Sequence, residues 1–211
     1  AGLRVVDVGV ADLREPCLGL DRDTYRGLQQ QVTEILHCAA DTRFGLELEA
    51  AREVNTRGTE RLLEFARGCR RLEKLAYIST VYVAGDRTGA IGEEFGPPPA
   101  HFFNTYQQSK YEAEELVNRA ARDLPVMVLR LSSLAGDSAT GEVRRFTYVH
   151  QLIRLLPRNI LRMAPVDPES PIDLIPTDYA AGALFHIFRR GFTPGMTCQI
   201  CAGPQHALPM R

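Results

Sequence analysis

Lys74-Leu75-Ala76-Tyr77-Ile78 is a short apolar run without polar alternation, and Ser79-Thr80 follow it directly. A strand of this kind has no face suited to water, so it belongs in a parallel sheet covered by helices on both sides. Comparable runs are Arg4-Val5-Val6-Asp7-Val8, Glu34-Ile35-Leu36-His37-Cys38, Val126-Met127-Val128-Leu129-Arg130, and Met196 to Cys201. The stretches between them predict helices over Asp23 to Val32, Leu46 to Cys69, Thr105 to Asp123, Phe146 to Leu156 and Thr177 to Arg190. In the second of these, Leu62, Leu63, Phe65 and Ala66 form one face while Glu60, Arg61, Glu64 and Arg67 point elsewhere, which is helical spacing. Strands alternating with helices give an α/β, doubly wound fold.

Two stretches interrupt the pattern. Asp86 to Asn104 carries Gly89, Gly92, Gly96 and Pro97-Pro98-Pro99, and Pro157 to Pro176 carries five prolines. Both read as long loops. In open α/β sheets ligands bind beyond the carboxyl ends of the strands, where loops of this length become pocket walls.

The 211 residues hold 25 Lys+Arg against 26 Asp+Glu, with 45% hydrophobic and 24% charged residues. That composition fits a soluble globular domain and excludes a disordered chain. The near-zero net charge, with bases scattered among acids, argues against a nucleic-acid partner. No apolar run approaches the roughly 18 residues of a membrane-spanning helix. The first residues lack the order of a signal peptide, so a cytoplasmic setting is expected. Five cysteines, an odd number, do not read as a disulfide framework. Cys198-Gln199-Ile200-Cys201 has no second pair at zinc-finger spacing, His37 reads as a satisfied strand-end histidine, and the other histidines are isolated, so no metal site is expected.

The residue pattern richest in chemistry is Tyr106-Gln107-Gln108-Ser109-Lys110 at a helix start, preceded by Thr80 at a strand end. Spacing of i and i+4 puts Tyr106 and Lys110 on one helical face. A nearby ammonium favours a phenolate, which makes Tyr106 a candidate proton donor or acceptor, and the Thr80 hydroxyl can reach the same substrate oxygen. By itself the tyrosine–lysine spacing also fits an ordinary solvated helix face.

Several further motifs follow in one order. Asp12-Leu13 comes after the first strand, His37-Cys38-Ala39-Ala40 ends the second, and Glu53-Val54-Asn55-Thr56-Arg57-Gly58-Thr59 lies in a helix. Tyr77 to Gly85 surrounds Thr80. With Tyr106 and Lys110, this order resembles the extended short-chain dehydrogenase/reductases. Ser79 to Val83, Gly136 to Gly141 and Pro171 to Ala181 are most similar to the thioester-reductase and fatty-acyl-CoA-reductase group within them.

The resemblance implies catalytic roles for Thr80, Tyr106, Lys110 and Asn55, the last as a relay through water. It implies cofactor contacts at Asp12 and Leu13 (adenine), at Cys38, Ala39 and Ala40 (close dinucleotide approach), at Asn55, Tyr106 and Lys110, and at Ser132 and Ser133. The cofactor implied is NADP(H) in preference to NAD(H), and the partner an acyl-CoA or a carrier-protein-bound acyl thioester. Other readings stand beside these: Asp12 as a turn acid, Asn55 as helix–sheet packing, and Gly136 to Gly141 as a bare turn. For the whole chain, the alternatives are a sugar-nucleotide epimerase or dehydratase and a non-catalytic dinucleotide sensor.

Two departures from the family pattern are visible. Leu131 follows Arg130 where the family commonly has proline. The glycine-rich phosphate loop is missing, so the chain begins at what the resemblance identifies as the third strand, with two β-α units, on the order of 60 residues, absent. Residues 1–135 are therefore expected to be a partial dinucleotide-binding domain and 136–211 mainly a substrate-binding region whose strand near 196–201 returns to the sheet. An isolated chain of this kind is expected to fold poorly and to be inactive, because its first strand lacks an inner neighbour.

Overall fold

In the computed structural model, residues 8–143, 146, 150 and 171–209 are described. Strands β1 (Glu34–His37), β2 (Lys74–Thr80), β3 (Val126–Leu131) and β7 (Thr197–Ile200) form a parallel sheet in the order β1-β2-β3-β7. Short strands β4 (Ser133–Leu134) and β6 (Leu174–Ile175) pair in parallel, and β5 (Pro171–Ile172) and β8 (Leu208–Pro209) pair antiparallel. The helices are α1 (Arg22–Gln31), α2 (Leu48–Asn55), α3 (Arg57–Gly68), α4 (Thr105–Ala120) and α5 (Thr177–Arg190).

The pleat of β2 and β3 explains the layers. Leu75 and Tyr77, with Val126 and Val128, face α3 and α4, packing on Leu63, Ala66, Ala113, Val117 and Ala120. Ala76, with Met127 and Leu129, faces the other way onto Ala180 and Phe188 of α5. Both faces are covered, which is why these strands carry apolar residues at successive positions. The doubly wound α/β class is what the structure shows.

Two expectations are adjusted. The predicted helix over 46–69 is divided at Thr56, where φ/ψ of −93°/−61° mark the end of α2. Backbone bonds continue through the break, from Thr56 N to Arg52 O and from Glu60 N to Thr56 O. The Thr56 hydroxyl donates to Ser109 O at 3.0 Å, so a contact with α4 redirects the chain there. At the position where proline is common in the family, Leu131 continues β3 and pairs with both Thr80 and Ile200. The expected strand at Arg4 to Val8 and the helix at Phe146 to Leu156 lie almost wholly outside the described residues. Among the described residues β1 pairs on one side only, and Leu36 at that edge is exposed.

Candidate active site

The carboxyl ends of β1, β2 and β3 open onto a cavity of about 940 Å³, within the usual range for small-molecule sites of about 300–1,000 Å³. It is lined by Cys38 and Ala40 after β1, by Ile78, Ser79 and Thr80 of β2, and by Ser132 and Ser133 after β3. Tyr106 and Lys110 of α4 line it as well.

The start of α4 is fixed by its own sequence. Asn104 caps it, its Oδ1 accepting from Gln107 N at 2.9 Å, and Gln107 Oε1 reaches back to accept from Phe103 N at 3.0 Å. Such reciprocal capping sets where the first turn begins, and thus where Tyr106 points. Burial pushes the Tyr106 phenol up to about 12, and Tyr82 adds to the rise. The Thr80 side chain faces the phenol and opposes that shift by hydrogen bonding. A phenol in this state stays protonated at neutral pH.

Lys110 is buried, and Nζ donates to Ile78 O at 2.7 Å. The ammonium sits over the Tyr77 ring, 4.1 Å from its centroid. Desolvation lowers its pKa to about 7, partly offset by Glu114 and Cys38. The i, i+4 spacing brings Lys110 into the same cavity as Tyr106, while its nearest support comes from the β2 backbone and Tyr77.

Asn55 is buried behind the cavity, and its amide is engaged on both sides. Oδ1 accepts from Asp41 N at 2.8 Å, and Nδ2 donates to Asp41 O at 2.9 Å and to Ser109 Oγ at 3.0 Å. It therefore ties the segment after β1 to α4, next to Lys110. His37 is a satisfied interior histidine: the Thr59 hydroxyl spends its one proton on Asn55 O at 2.6 Å, so His37 Nε2, 3.2 Å from Thr59 Oγ1, is the donor. Burial holds its pKa down at about 3.

Ser132 Oγ donates to Asp173 O at 2.8 Å, and Ser133 Oγ shares a hydrogen bond with the Tyr82 hydroxyl at 2.5 Å. The described residues lining the cavity do not include Asp12, Leu13 or Ala39. Asp12 is instead gripped by Arg14, whose Nη2 lies 2.7 Å from Oδ2, and that pairing holds the carboxyl down at about 2. Leu13 packs against Gly58, where an added Cβ would come within 2.9 Å of the leucine side chain.

The sequence reading missed Glu114. It is fully buried with Arg130, whose Nε and Nη2 both donate to its carboxylate. Ser79 Oγ also donates to it, at 2.6 Å. Arg130 further donates to Gly92 O at 3.2 Å and Glu94 O at 2.9 Å, pinning the glycine- and proline-rich loop to the end of the sheet. The available signal is spacing: Glu114 follows Lys110 by four residues and Tyr106 by eight, on the same helical face. Phe44 was missed as well; its ring stacks on Tyr106 with centroids 5.6 Å apart and planes 23° from parallel.

The NAD-binding family described as "Male sterility protein" matches residues 3–184. The chain belongs to that family. It is 35% identical to the isonitrile lipopeptide synthase of Streptomyces coeruleorubidus over 181 residues, covering 84% of this chain and 12% of the synthase. With the chloroplastic fatty acyl-CoA reductase 2 of Arabidopsis thaliana the identity is 23% over 221 residues, covering 79% of this chain and 36% of that protein. The crystal structure of the terminal R domain from the myxalamid PKS-NRPS biosynthetic pathway superposes with a TM-score of 0.83 at 32% identity, over 94% of this chain and 50% of that one. The chain thus spans at most half the length of these relatives, and the resemblance to the thioester-reductase and fatty-acyl-CoA-reductase group is confirmed at the level of the family. Among the described residues no group of three or more His, Cys, Asp or Glu side chains could hold a metal ion, and no helix is long and apolar enough to cross a membrane.

Proposed function

We propose that this chain carries the catalytic groups of an NADPH-dependent reductase that acts on acyl thioesters presented on CoA or on a carrier protein. The observation that carries the reading is that Tyr106, Thr80 and Lys110 line one cavity at the end of a parallel sheet, with Lys110 buried and donating to Ile78 O. Family membership and the likeness to a terminal R domain support it.

The residues present fit a nicotinamide dinucleotide. Cys38 and Ala40 present small side chains to the cavity, and Lys110 has one oxygen partner among the described residues, Ile78 O, for its three donors. Lys110 would hold the nicotinamide ribose and the backbone at Ser132 and Ser133 the carboxamide. Bound NADPH supplies a hydride to the carbonyl carbon. Thr80 donates a hydrogen bond to the carbonyl oxygen, where negative charge develops, and Tyr106 transfers its proton there. The resulting hemithioacetal expels the thiol and leaves an aldehyde. Because its pKa is raised to about 12, Tyr106 remains loaded with its proton across the neutral range, which suits reduction. Asn55 acts as a positioning residue through Asp41 and Ser109.

In the intact protein, Tyr106→Phe is expected to lower kcat by about 10²–10⁴-fold while NADPH binding holds, followed as NADPH consumption with an acyl-CoA or acyl-pantetheine. Turnover at the unaltered rate would refute the role of Tyr106. Replacing NADPH with NADH checks the cofactor preference, which is expected to favour NADPH.

A further inference from the structure

We propose that Phe44 sets how bulky an acyl group this site admits, its ring forming the wall beside Tyr106 on the β1 side. The inference rests on the reductase reading and deepens it. Phe44 lines the cavity and lies nearly parallel to the Tyr106 ring, so whatever binds against the Tyr106 hydroxyl also meets Phe44. Leu134 and Leu184 add apolar side chains to the lining of the same cavity.

The ring is held in place by the segment that bears it. At one end, Asn55 grips both the N–H and the C=O of Asp41, and the Asp41 carboxylate clamps Arg43, with Nη2 2.6 Å from Oδ2. At the other end, the Thr105 hydroxyl donates to Leu46 O at 2.9 Å. Moving the backbone that bears Phe44 therefore requires breaking contacts with two helices, while the ring itself is placed by its stacking on Tyr106. A side chain on so anchored a segment limits by its size what fits beside Tyr106.

The chemistry places the test at one carbon. A carbonyl whose oxygen meets the Tyr106 and Thr80 hydroxyls holds its α-carbon within a bond length of the reacting centre, so branching at that carbon is directed at the walls. The phenyl ring of Phe44 moves no proton, so its influence is on which substrate fits and not on how the proton transfers.

The experiment compares kcat/KM for octanoyl-CoA and cyclohexanecarbonyl-CoA in the intact protein. Phe44→Ala is expected to raise the branched-to-linear ratio by about tenfold or more, the scale on which apolar pockets discriminate. Phe44→Leu should raise it less, Phe44→Trp should lower it, and Phe44→Tyr should leave it within about twofold, well inside that scale. A ratio unchanged in both Phe44→Ala and Phe44→Leu, with the two substrates losing rate together, overturns the proposal and leaves Phe44 as packing for Tyr106. Failure of the unaltered protein to reduce either thioester overturns the reductase reading itself and this proposal with it.

Discussion

Two arginine–carboxylate pairs, Arg130–Glu114 and Arg14–Asp12, are both gripped through Nε and Nη2, yet they do different work. The first is interior, with side chains 2% and 0% exposed; the second is at the surface, at 62% and 37%. Arg130 and Glu114 come from β3 and α4 and recruit Ser79 of β2 and two loop carbonyls, so one ion pair joins three elements of the site. Arg14 and Asp12 are two residues apart in one turn and hydrogen-bond to each other there. Where water is excluded, every lost partner leaves a charge stranded; where water is present, it replaces the partner. The interior pair thus determines the geometry of the site, whereas the surface pair is one that water can replace.

The largest expected effect comes from breaking the interior pair. Arg130→Met leaves the Glu114 carboxylate buried with Ser79 as its remaining donor; the Glu94 carbonyl loses the Arg130 donor and the Gly92 carbonyl keeps only Gln199 Nε2. Stability should fall by about 3–5 kcal/mol, read from the midpoint of urea denaturation of the intact protein. A loss under about 1 kcal/mol would place the pair with surface ion pairs and would mean that water reaches it. Ser79→Ala, which removes one neutral donor to the carboxylate, should cost less, about 1–3 kcal/mol.

This contrast also explains how far the sequence could be read. Strands β2 and β3 and helices α4 and α5 follow from local patterns, apolar runs separated by longer helical stretches. Thr80, Tyr106 and Lys110 were legible because two lie on one helix face and the third ends a strand. Glu114 was not, since one of three glutamates in a helix, between Glu112 and Glu115, reads as surface, and its partner Arg130 is sixteen residues further along on another element. The break at Thr56 was hidden for the same reason, because it depends on a carbonyl of α4. Phe44 lies in a segment with no periodicity, where nothing local indicates that its ring will meet Tyr106. Asp12 shows the converse: its motif was legible, but the Arg14 clamp that now occupies its carboxylate was not read from it.

Lys110 supplies an intermediate effect and places a third charge in the comparison, buried but with no carboxylate in direct contact among the described residues. Its folded pKa of about 7 lies below the roughly 10.4 of a free lysine side chain. Between these values the unfolded chain holds a proton that the folded chain has released, so stability rises with pH across that window. Below about pH 7 both states are protonated and the full burial penalty applies. The slope is at most about 1.4 kcal/mol per pH unit. Lys110→Met should remove it, so the difference between unaltered and variant melting curves should change steadily from pH 7 to 9. A constant difference over that range would show that burial does not depress this lysine.

The smallest effect on stability belongs to Asp12. Arg14 holds its carboxyl ionised down to a pH of about 2, so Asp12 carries its charge throughout the working range. An exposed pair screened by water gives the fold little, and Asp12→Asn should leave the melting midpoint unchanged at both low and high salt. Its effect should appear in binding. If Asp12 exchanges Arg14 for the adenine edge of the dinucleotide, the exchange is cheap because water already competes for both side chains. Asp12→Asn should then raise the KM for NADPH several-fold with kcat retained, and Arg14→Ala, which frees the carboxylate, should lower it. Unchanged KM in both variants would make Asp12 a turn residue and nothing more.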